Sequence, residues 1–396
     1  MIELSDAKDI ILQQVIKKSP EEVSILDSLN HVLAEDIFAD RDYPPFNRAT
    51  MDGFALQSKN YSENRDYKII DTVFAGDSFD KPLSDSECVK IMTGAAVPDG
   101  LDAVIRIEDS QISGSTVRFS VSELKSGKNV AQRGEDCKAG VKLLNKDYLI
   151  KSTSISLLAT VGCEMLKVYP SPTVSLITTG NEIIPLDQHP GPHQIRNSNS
   201  YAIKALLKDI GIKPSYENHV SDNIELLRDS LSRGLHSDIL IITGGVSMGD
   251  SDHVPGTLSA LGVEKLFHKV KIKPGKPIWF GVKEKTAVFA LPGNPMSCQI
   301  CFKVFIEPYI RGLKGIAAHD NPFLPLSQER QNRTGRNDCF PVQIEKANSF
   351  MTTLDYNGSG DIKGNLHSDG FAIQPHDLIT VSKGELLEYI PWRAYD

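Results

Sequence analysis

The chain has 396 residues, too many for one ordinary hydrophobic core, and at roughly 100 to 200 residues per domain it should fold as two to four domains. Its 40% hydrophobic and 24% charged residues are globular proportions, which argue against default disorder. The formal net charge of -8 repels polyanions, so non-specific nucleic-acid binding is not expected, and any anionic ligand needs a local cationic cluster or a metal ion.

The N-terminus, MIELSDAKDIILQQVIKK, lacks a basic start followed by an apolar run, and no stretch approaches the ~18 apolar residues of a membrane span, so a cytoplasmic protein is expected. Ser5 is placed to cap a helix whose apolar Ile11, Leu12, Val15 and Ile16 share a face; a short apolar segment with Leu26, Leu29, Val32 and Leu33 follows. From Tyr43 to about Val130, β-rich runs (67–73, 88–92, 104–107 and 117–121) alternate with glycine, proline, aspartate and serine turns, the pattern of a separate β-rich module. A second helix is predicted over 152–160. From about Pro172 to Gly315 strands and helices alternate: strands 173–178, 215–220, 238–243, 277–282 and 287–291, with helices 198–210, 223–234 and 296–312. A parallel, doubly wound sheet is the economical solution, and such sheets bind ligands at the carboxyl ends of their strands. From about Pro322 the chain reverts to short strands (340–344, 371–374, 378–381), which fit a small barrel or sandwich.

Three loops of the α/β region begin where a predicted strand ends. In TTGNEI, Gly180 permits a tight turn and Glu182 follows directly, either as a functional carboxylate or as a favourable charge at a helix N-terminus. In TGGVSMGDSDH, Gly244 and Gly245 let backbone N–H groups approach an anion, Thr243 and Ser247 add hydroxyls, and Asp250 and Asp252 follow; the lysine and spacing of a Walker loop are absent. In LPGNPMS, Pro292 and Pro295 stiffen a loop around Gly293, although proline at a helix start is also merely structural. Between the last two loops, HKVKIKPGKP carries Lys269, Lys271, Lys273 and Lys276. Strand alternation puts the first three on one face, which fits phosphate or oxyanion binding better than a solvated edge strand in so acidic a chain.

The β-rich region contributes PPFNRATMDGFAL with Asp52, TGAAVPDG with Thr93 and Gly94 as a hydroxyl-plus-amide anion contact, and RGEDCKAG with Arg133, Glu135 and Asp136; Asp52-Gly53 also reads as a common turn pair. Cys298 and Cys301 lie one turn apart in an apolar helix with no second pair, so burial is expected rather than zinc. His189 and His193 lack metal-site context, and the six cysteines are too sparse for a disulfide framework.

Taken in order, PPFNRATMDGFAL, TGAAVPDG, RGEDCKAG, TTGNEI, IRNSNSY, TGGVSMGDSDH, IKPGKP and LPGNPMS closely resemble the MoeA family, which includes the C-terminal catalytic domain of gephyrin. The resemblance runs over nearly the whole chain. It implies a multidomain α/β plus β fold: an elongated helical/β dimerisation domain (1–42 and 130–170), an inserted β-rich domain (43–129), a doubly wound α/β molybdopterin-binding domain (171–315) and a C-terminal β-barrel (316–396). It further implies a homodimer whose active site lies at the subunit interface, with Asp52, Thr93 and Asp136 of one subunit facing Glu182, Asp222, Asp252, Lys269 and Lys273 of the other. Arg133, Thr243, Gly244, Gly245, Ser247, Lys276, Pro292, Pro295 and Ser359 would join them in binding substrate.

The implied activity takes adenylylated molybdopterin and molybdate, inserts the metal and releases AMP. Magnesium assists, held by Asp222 and Asp252. Other proteins of molybdenum cofactor biosynthesis are implied as partners. The sequence departs from the family pattern at Ala131 and Gln132, where some relatives carry arginines, and at Asn197, where aspartate is frequent. A molybdopterin adenylyltransferase shares the TGG loop but does not need the MDG or RGED segments, and a non-enzymatic pterin-binding scaffold is the other alternative.

Overall fold

The computed structural model describes residues 1–246, 253–316 and 321–393. They form two compact units. One comprises Met1–Ala34, Asp147–Lys151 and the chain from Met165 onward; the other comprises Glu35–Lys146 and Ser152–Glu164.

The first unit is organised around a six-stranded sheet with strands β1 (Val174–Thr179), β2 (Tyr216–Val220), β3 (Ile239–Thr243), β4 (Glu264–His268), β5 (Trp279–Lys283) and β6 (Thr286–Leu291). Their order is β2-β1-β3-β6-β5-β4. β2, β1, β3 and β6 run parallel, as the strand-helix alternation predicts. β5 is antiparallel to both β6 and β4, so the sheet is mixed rather than purely parallel. The reversal is made by the short turn Glu284-Lys285, with Glu284 at φ 53°; it carries no glycine or asparagine to mark it in the sequence.

Period-two alternation buries both faces. Val174, Leu176, Ile239, Ile241, Phe289 and Leu291 pack on one side with the helices Leu4–Gln13, Ser198–Asp209 and Pro295–Cys301. Ile177, Leu240, Ile242, Val288 and Ala290 pack on the other with Ile224–Gly234 and Val254–Ala260.

Two helices differ from their sequence reading. The first starts at Leu4 with Glu3 at its cap position, not after Ser5. The cause is tertiary: Ile2 forms a bridge with Val270, its N–H donating to the Lys269 carbonyl at 3.0 Å, and this fixes where the helix begins. Leu4, Ala7 and Ile11 form its buried face, whereas Leu12 and Ile16 are 39% and 57% exposed. The helix read as 296–312 is Pro295–Cys301, a π-helical turn Phe302–Ile306 and Glu307–Leu313, with Pro308, which has no N–H to donate, just after the wide turn.

Toward the C-terminus, Asn337–Ile344, Gly370–Gln374, Leu386–Pro391 and Phe323–Pro325 form a sheet that Ile272–Lys273 joins in parallel at Asn337–Asp338. Its core holds Leu326, Phe340, Val342, Met351, Ala372 and Leu387.

The second unit carries a six-stranded sheet in the order Ala103–Arg106, Gly53–Leu56, Glu87–Ile91, Asp66–Val73, Thr116–Phe119, Ser110–Ser113. Ala55, Val89 and Val104 pack on one face; Phe54, Leu56, Tyr67 and Phe119 pack on the other. All six cysteines are free thiols, and Cys88, Cys298, Cys301 and Cys339 are buried. Burial pushes the Cys298 thiol up to about 12, which removes its nucleophilic thiolate and agrees with the packing role expected of C-x-x-C. No helix among the described residues is long and apolar enough to cross a membrane.

Candidate functional site

In the first unit, the exits of β1, β3 and β6 converge at the carboxyl end of the sheet. Gly244 and Gly245 adopt φ of +91° and +65°, which side-chain-bearing residues rarely hold. They are also packed closely: a Cβ on Gly244 would lie 2.7 Å from the Thr179 carbonyl oxygen, and one on Gly245 would lie 3.0 Å from Thr179 Oγ1. The Gly244 N–H donates to the Leu291 carbonyl at 3.1 Å, tying the exit of β3 to that of β6. Thr243 and Val246 are buried on either side of the glycine pair. Ser247 and Asp252, with Asp250, lie outside the described residues.

The TTGNEI segment leaves β1 through Gly180 at φ +135°. No helix follows it: Ile183–Ile184 pairs instead with Ile195–Arg196, so Glu182 does not serve a helix N-terminus. Its carboxylate folds back over Gly180, where a Cβ would be 2.6 Å from Oε2. Asn181 and Asp222 clasp each other: the Asp222 N–H donates to Asn181 Oδ1 at 3.1 Å, and the Asn181 N–H reaches Asp222 Oδ2 at 3.4 Å.

The LPGNP loop is held from two sides. Asn199 Nδ2 donates to the Gly293 carbonyl at 2.7 Å, and Asn294 Nδ2 donates to Ser359 Oγ at 2.7 Å. Pro295 opens the following helix, and Ser359 is thus brought to the loop from the C-terminal segment. Asn197 caps the helix Ser198–Asp209 by accepting from the Ser200 N–H, while its Nδ2 donates to Thr178 Oγ1 at 2.9 Å; an aspartate at this position could meet Thr178 only by accepting from its hydroxyl.

The lysine segment does not form one strand face. β4 ends at His268, Lys269 turns into φ +71°, and only the isolated bridge of Val270 to Ile2 precedes the short strand Ile272–Lys273. Lys271 contacts Glu3 Oε1 at 2.5 Å, and Lys273 lies 3.7 Å from Asp338 Oδ1. The period-two reading failed because the positive φ at Lys269 breaks the extended backbone. Lys276 is exposed. The His268 ring lies against the Val246 backbone of the glycine loop, and its Nε2 is buried without a partner. Burial, and to a smaller extent Lys269, holds its ring below the ordinary imidazole value. Asn199 Oδ1 and Thr179 Oγ1 are likewise buried and unpaired. Asn181, Asn199, His268 and Asn294 were not singled out from the sequence, where the only signal was their position beside the glycine and proline loops.

In the second unit, Asp52 and Thr93, separately nominated, form a pair. Asp52 Oδ1 accepts from both the Thr93 hydroxyl and the Thr93 N–H at 2.7 Å. Of the expected anion contact, the Gly94 N–H instead donates to the Ala49 carbonyl at 2.8 Å, and the Thr93 hydroxyl is engaged by Asp52. The two Thr93 donors hold the exposed Asp52 carboxyl below the usual carboxylate range, the hydroxyl most strongly. Arg133 donates through Nε to Asp42 Oδ2 at 2.9 Å. Asp136 is exposed, its N–H bonded to the Tyr43 carbonyl. Ala131 is buried in the strand pairing with Arg48–Ala49.

Replacing Thr93 with valine removes the hydroxyl donor and leaves the N–H. The Asp52 carboxyl should then titrate at higher pH, so its charge is lost sooner on acidification; an NMR titration of the Asp52 side-chain carbon reads this directly. An unchanged midpoint would show that the hydroxyl does not stabilise the carboxylate.

Comparison with known proteins places these features. Residues 2–162 match the family model described as the MoeA N-terminal region (domain I and II), and residues 175–312 match that of a "probable molybdopterin binding domain". A molybdopterin molybdenumtransferase of Staphylococcus epidermidis is 31% identical over 410 residues, covering 98% of this chain and 95% of that protein. One from Staphylococcus aureus is 34% identical over 324 residues, covering 79% and 76%. A solved molybdopterin biosynthesis MoeA protein from Pyrococcus horikosii superposes with a TM-score of 0.82 at 28% identity, over 100% of both chains. The chain belongs to the MoeA family.

Proposed function

We propose that the protein is a molybdopterin molybdenumtransferase of molybdenum cofactor biosynthesis, which takes adenylylated molybdopterin and molybdate, inserts the metal into the dithiolene and releases AMP. The observation that carries this reading is the convergence of the Gly180, Gly244–Gly245 and Gly293 loops at the carboxyl ends of β1, β3 and β6. A switch region of this kind is where open α/β sheets take ligands. The buried unpaired Asn199 Oδ1 and His268 Nε2 leave hydrogen-bonding capacity for substrate beside it.

The division of labour follows from charge. Lys269, Lys273 and Lys276 supply compact positive charges for pyrophosphate and molybdate oxygens, and Thr243, Gly244, Gly245 and Ser247 orient them. Pro292 and Pro295 keep their loop stiff, and Ser359 holds it through Asn294. The carboxylates Asp52, Asp136, Glu182, Asp222 and Asp252, with Arg133 and Thr93, complete a site shared between two copies of the chain in a homodimer working in the cytoplasm.

Magnesium fits the donor set. Among the described residues no group of three or more His, Cys, Asp or Glu side chains encloses an ion. Magnesium keeps several waters and takes phosphate oxygens, so one or two carboxylates suffice. Asp222 is exposed, and the bond its carboxylate takes from the Asn181 N–H is long, at 3.4 Å. Asp222 and Asp252 would hold the ion, which would neutralise developing charge on the phosphates. The chain's own groups orient the pterin and oxyanion, the larger part of catalysis when the reacting centre is carried by a cofactor.

Mixing the purified protein with adenylylated molybdopterin, magnesium and molybdate should yield AMP and metallated pterin in equal amounts by mass spectrometry. Formation of the adenylate from molybdopterin and ATP by this chain alone would instead identify an adenylyltransferase. Pterin binding without turnover would identify a scaffold.

A further inference from the structure

We propose that Asp338, in the C-terminal sheet, is a positioning residue that holds the Lys273 ammonium ready for an anionic substrate; this rests on the molybdenum-insertion reading of Lys273. Lys273 and Asp338 are register partners in the parallel pairing of Ile272–Lys273 with Asn337–Asp338, so their side chains leave the sheet on the same face. The Asp338 side chain is 3% exposed, while that of Lys273 is 37% exposed. One carboxylate oxygen, Oδ2, accepts from Arg330 Nη2 at 2.8 Å. The other, Oδ1, is buried with no hydrogen-bond partner and faces Lys273 Nζ at 3.7 Å.

A purely structural carboxylate would satisfy both oxygens with a forked arginine, because a buried anionic acceptor left unpaired is costly. Arg330 cannot do this here. Its Nη1 donates to Gln374 Oε1 at 2.5 Å and its guanidinium stacks 3.8 Å over the Phe340 ring, which locks it with only one nitrogen toward Asp338. Lys273 is therefore the cation that the free oxygen attracts. At 3.7 Å the contact is an ion pair without a closed hydrogen bond, so the ammonium keeps its donors for another acceptor while remaining tethered. Asp338 thus acts on the site through charge placement.

The test uses the full chain and four variants: Asp338→Asn, Asp338→Glu, Lys273→Met and Asp338→Asn with Lys273→Met. Acetylation of surface amines, read by mass spectrometry at one fixed pH, should modify Lys273 several-fold faster in Asp338→Asn than in the parent, relative to Lys276. Molybdenum insertion by Asp338→Asn should fall about tenfold in kcat/KM, and the double variant should match Lys273→Met alone, because both changes act through one ammonium. Asp338→Glu, which keeps the charge, should restore insertion to within a few-fold and slow labelling, and it carries the test if Asp338→Asn does not fold. Unchanged labelling, or a double variant that is worse than Lys273→Met by the full Asp338→Asn factor, overturns the positioning role. Full insertion by Lys273→Met with labelling still raised in Asp338→Asn overturns instead the reading of Lys273 on which the proposal rests.

Discussion

Gly53→Ala should unfold or severely loosen the β-rich sheet of the second unit, with a loss of about 3 kcal/mol or more. Gly53 opens a strand paired on both sides, with Ile91 in one neighbour and Arg106 in the other. A Cβ there would lie 1.9 Å from the Ile105 carbonyl oxygen, 2.8 Å from its carbon and 3.0 Å from the Arg106 Cα. All three are backbone atoms in the body of a sheet, so relief requires the strands to part.

The backbone angle is not the obstacle, since Gly53 is not among the positive-φ glycines. On conformational grounds alone, replacing such a glycine by alanine would stabilise slightly, so close approach decides the sign. Hydrogen exchange of the full chain should lose protection over 53–56, 87–91 and 103–106. Gly256→Ala is the control. It lies in the helix Val254–Ala260 with open space around a Cβ, and should gain about 0.5–1 kcal/mol. Retained protection in Gly53→Ala would mean that the strands tolerate the separation.

The same glycine shows why this inner strand of the sheet escaped the sequence reading. Gly-Phe-Ala-Leu offers no alternation, because Gly53–Leu56 is buried on both faces, and Asp-Gly at its start resembles a turn. Strands with a β-branched run were legible to within a residue or so: 173–178 is Val174–Thr179, and 238–243 is Ile239–Thr243. Asn223 was legible as the boundary of its helix, and its side chain accepts from the Glu225 and Leu226 N–H groups. By contrast, Val254–Ala260 and Glu264–His268 are short and follow a glycine-rich stretch, so no period could emerge.

In the candidate site, loop positions were legible because glycine, proline and carboxylates recur where strands end. Partners were not. Asp52 with Thr93, separated by 41 residues, and Asn294 with Ser359, separated by 65, meet only through folding. The lysine face failed for a conformational reason: Lys269 turns to positive φ, next to the single Ile2–Val270 bridge, and breaks a period that was real in the sequence.

Gly244→Ala should abolish nearly all molybdenum insertion while leaving a folded protein. Its φ of +91° already costs a side-chain-bearing residue about 1–2 kcal/mol, and the Cβ would press on the Thr179 carbonyl at 2.7 Å and on Thr179 Oγ1 at 3.0 Å. The loop cannot absorb this by sliding. The Gly244 N–H is bonded to Leu291 on one side, and Gly245 is confined on the other by Val254 Cγ2, 2.8 Å from its own Cβ position. Relief therefore displaces the strand exits from one another, and a displacement of about 1 Å in groups that position a substrate is enough for roughly a hundredfold loss in kcat/KM. Stability should fall much less: a strain of that size corresponds to a drop of several degrees in Tm for a unit of this length. The two effects separate cleanly if insertion is assayed at 25 °C beside a thermal melt followed by the fluorescence of Trp279, which is buried in β5 of the same sheet. Insertion within threefold of the parent, with the melt lowered as expected, would show that the glycine turn supports the fold alone and that the substrate is gripped elsewhere.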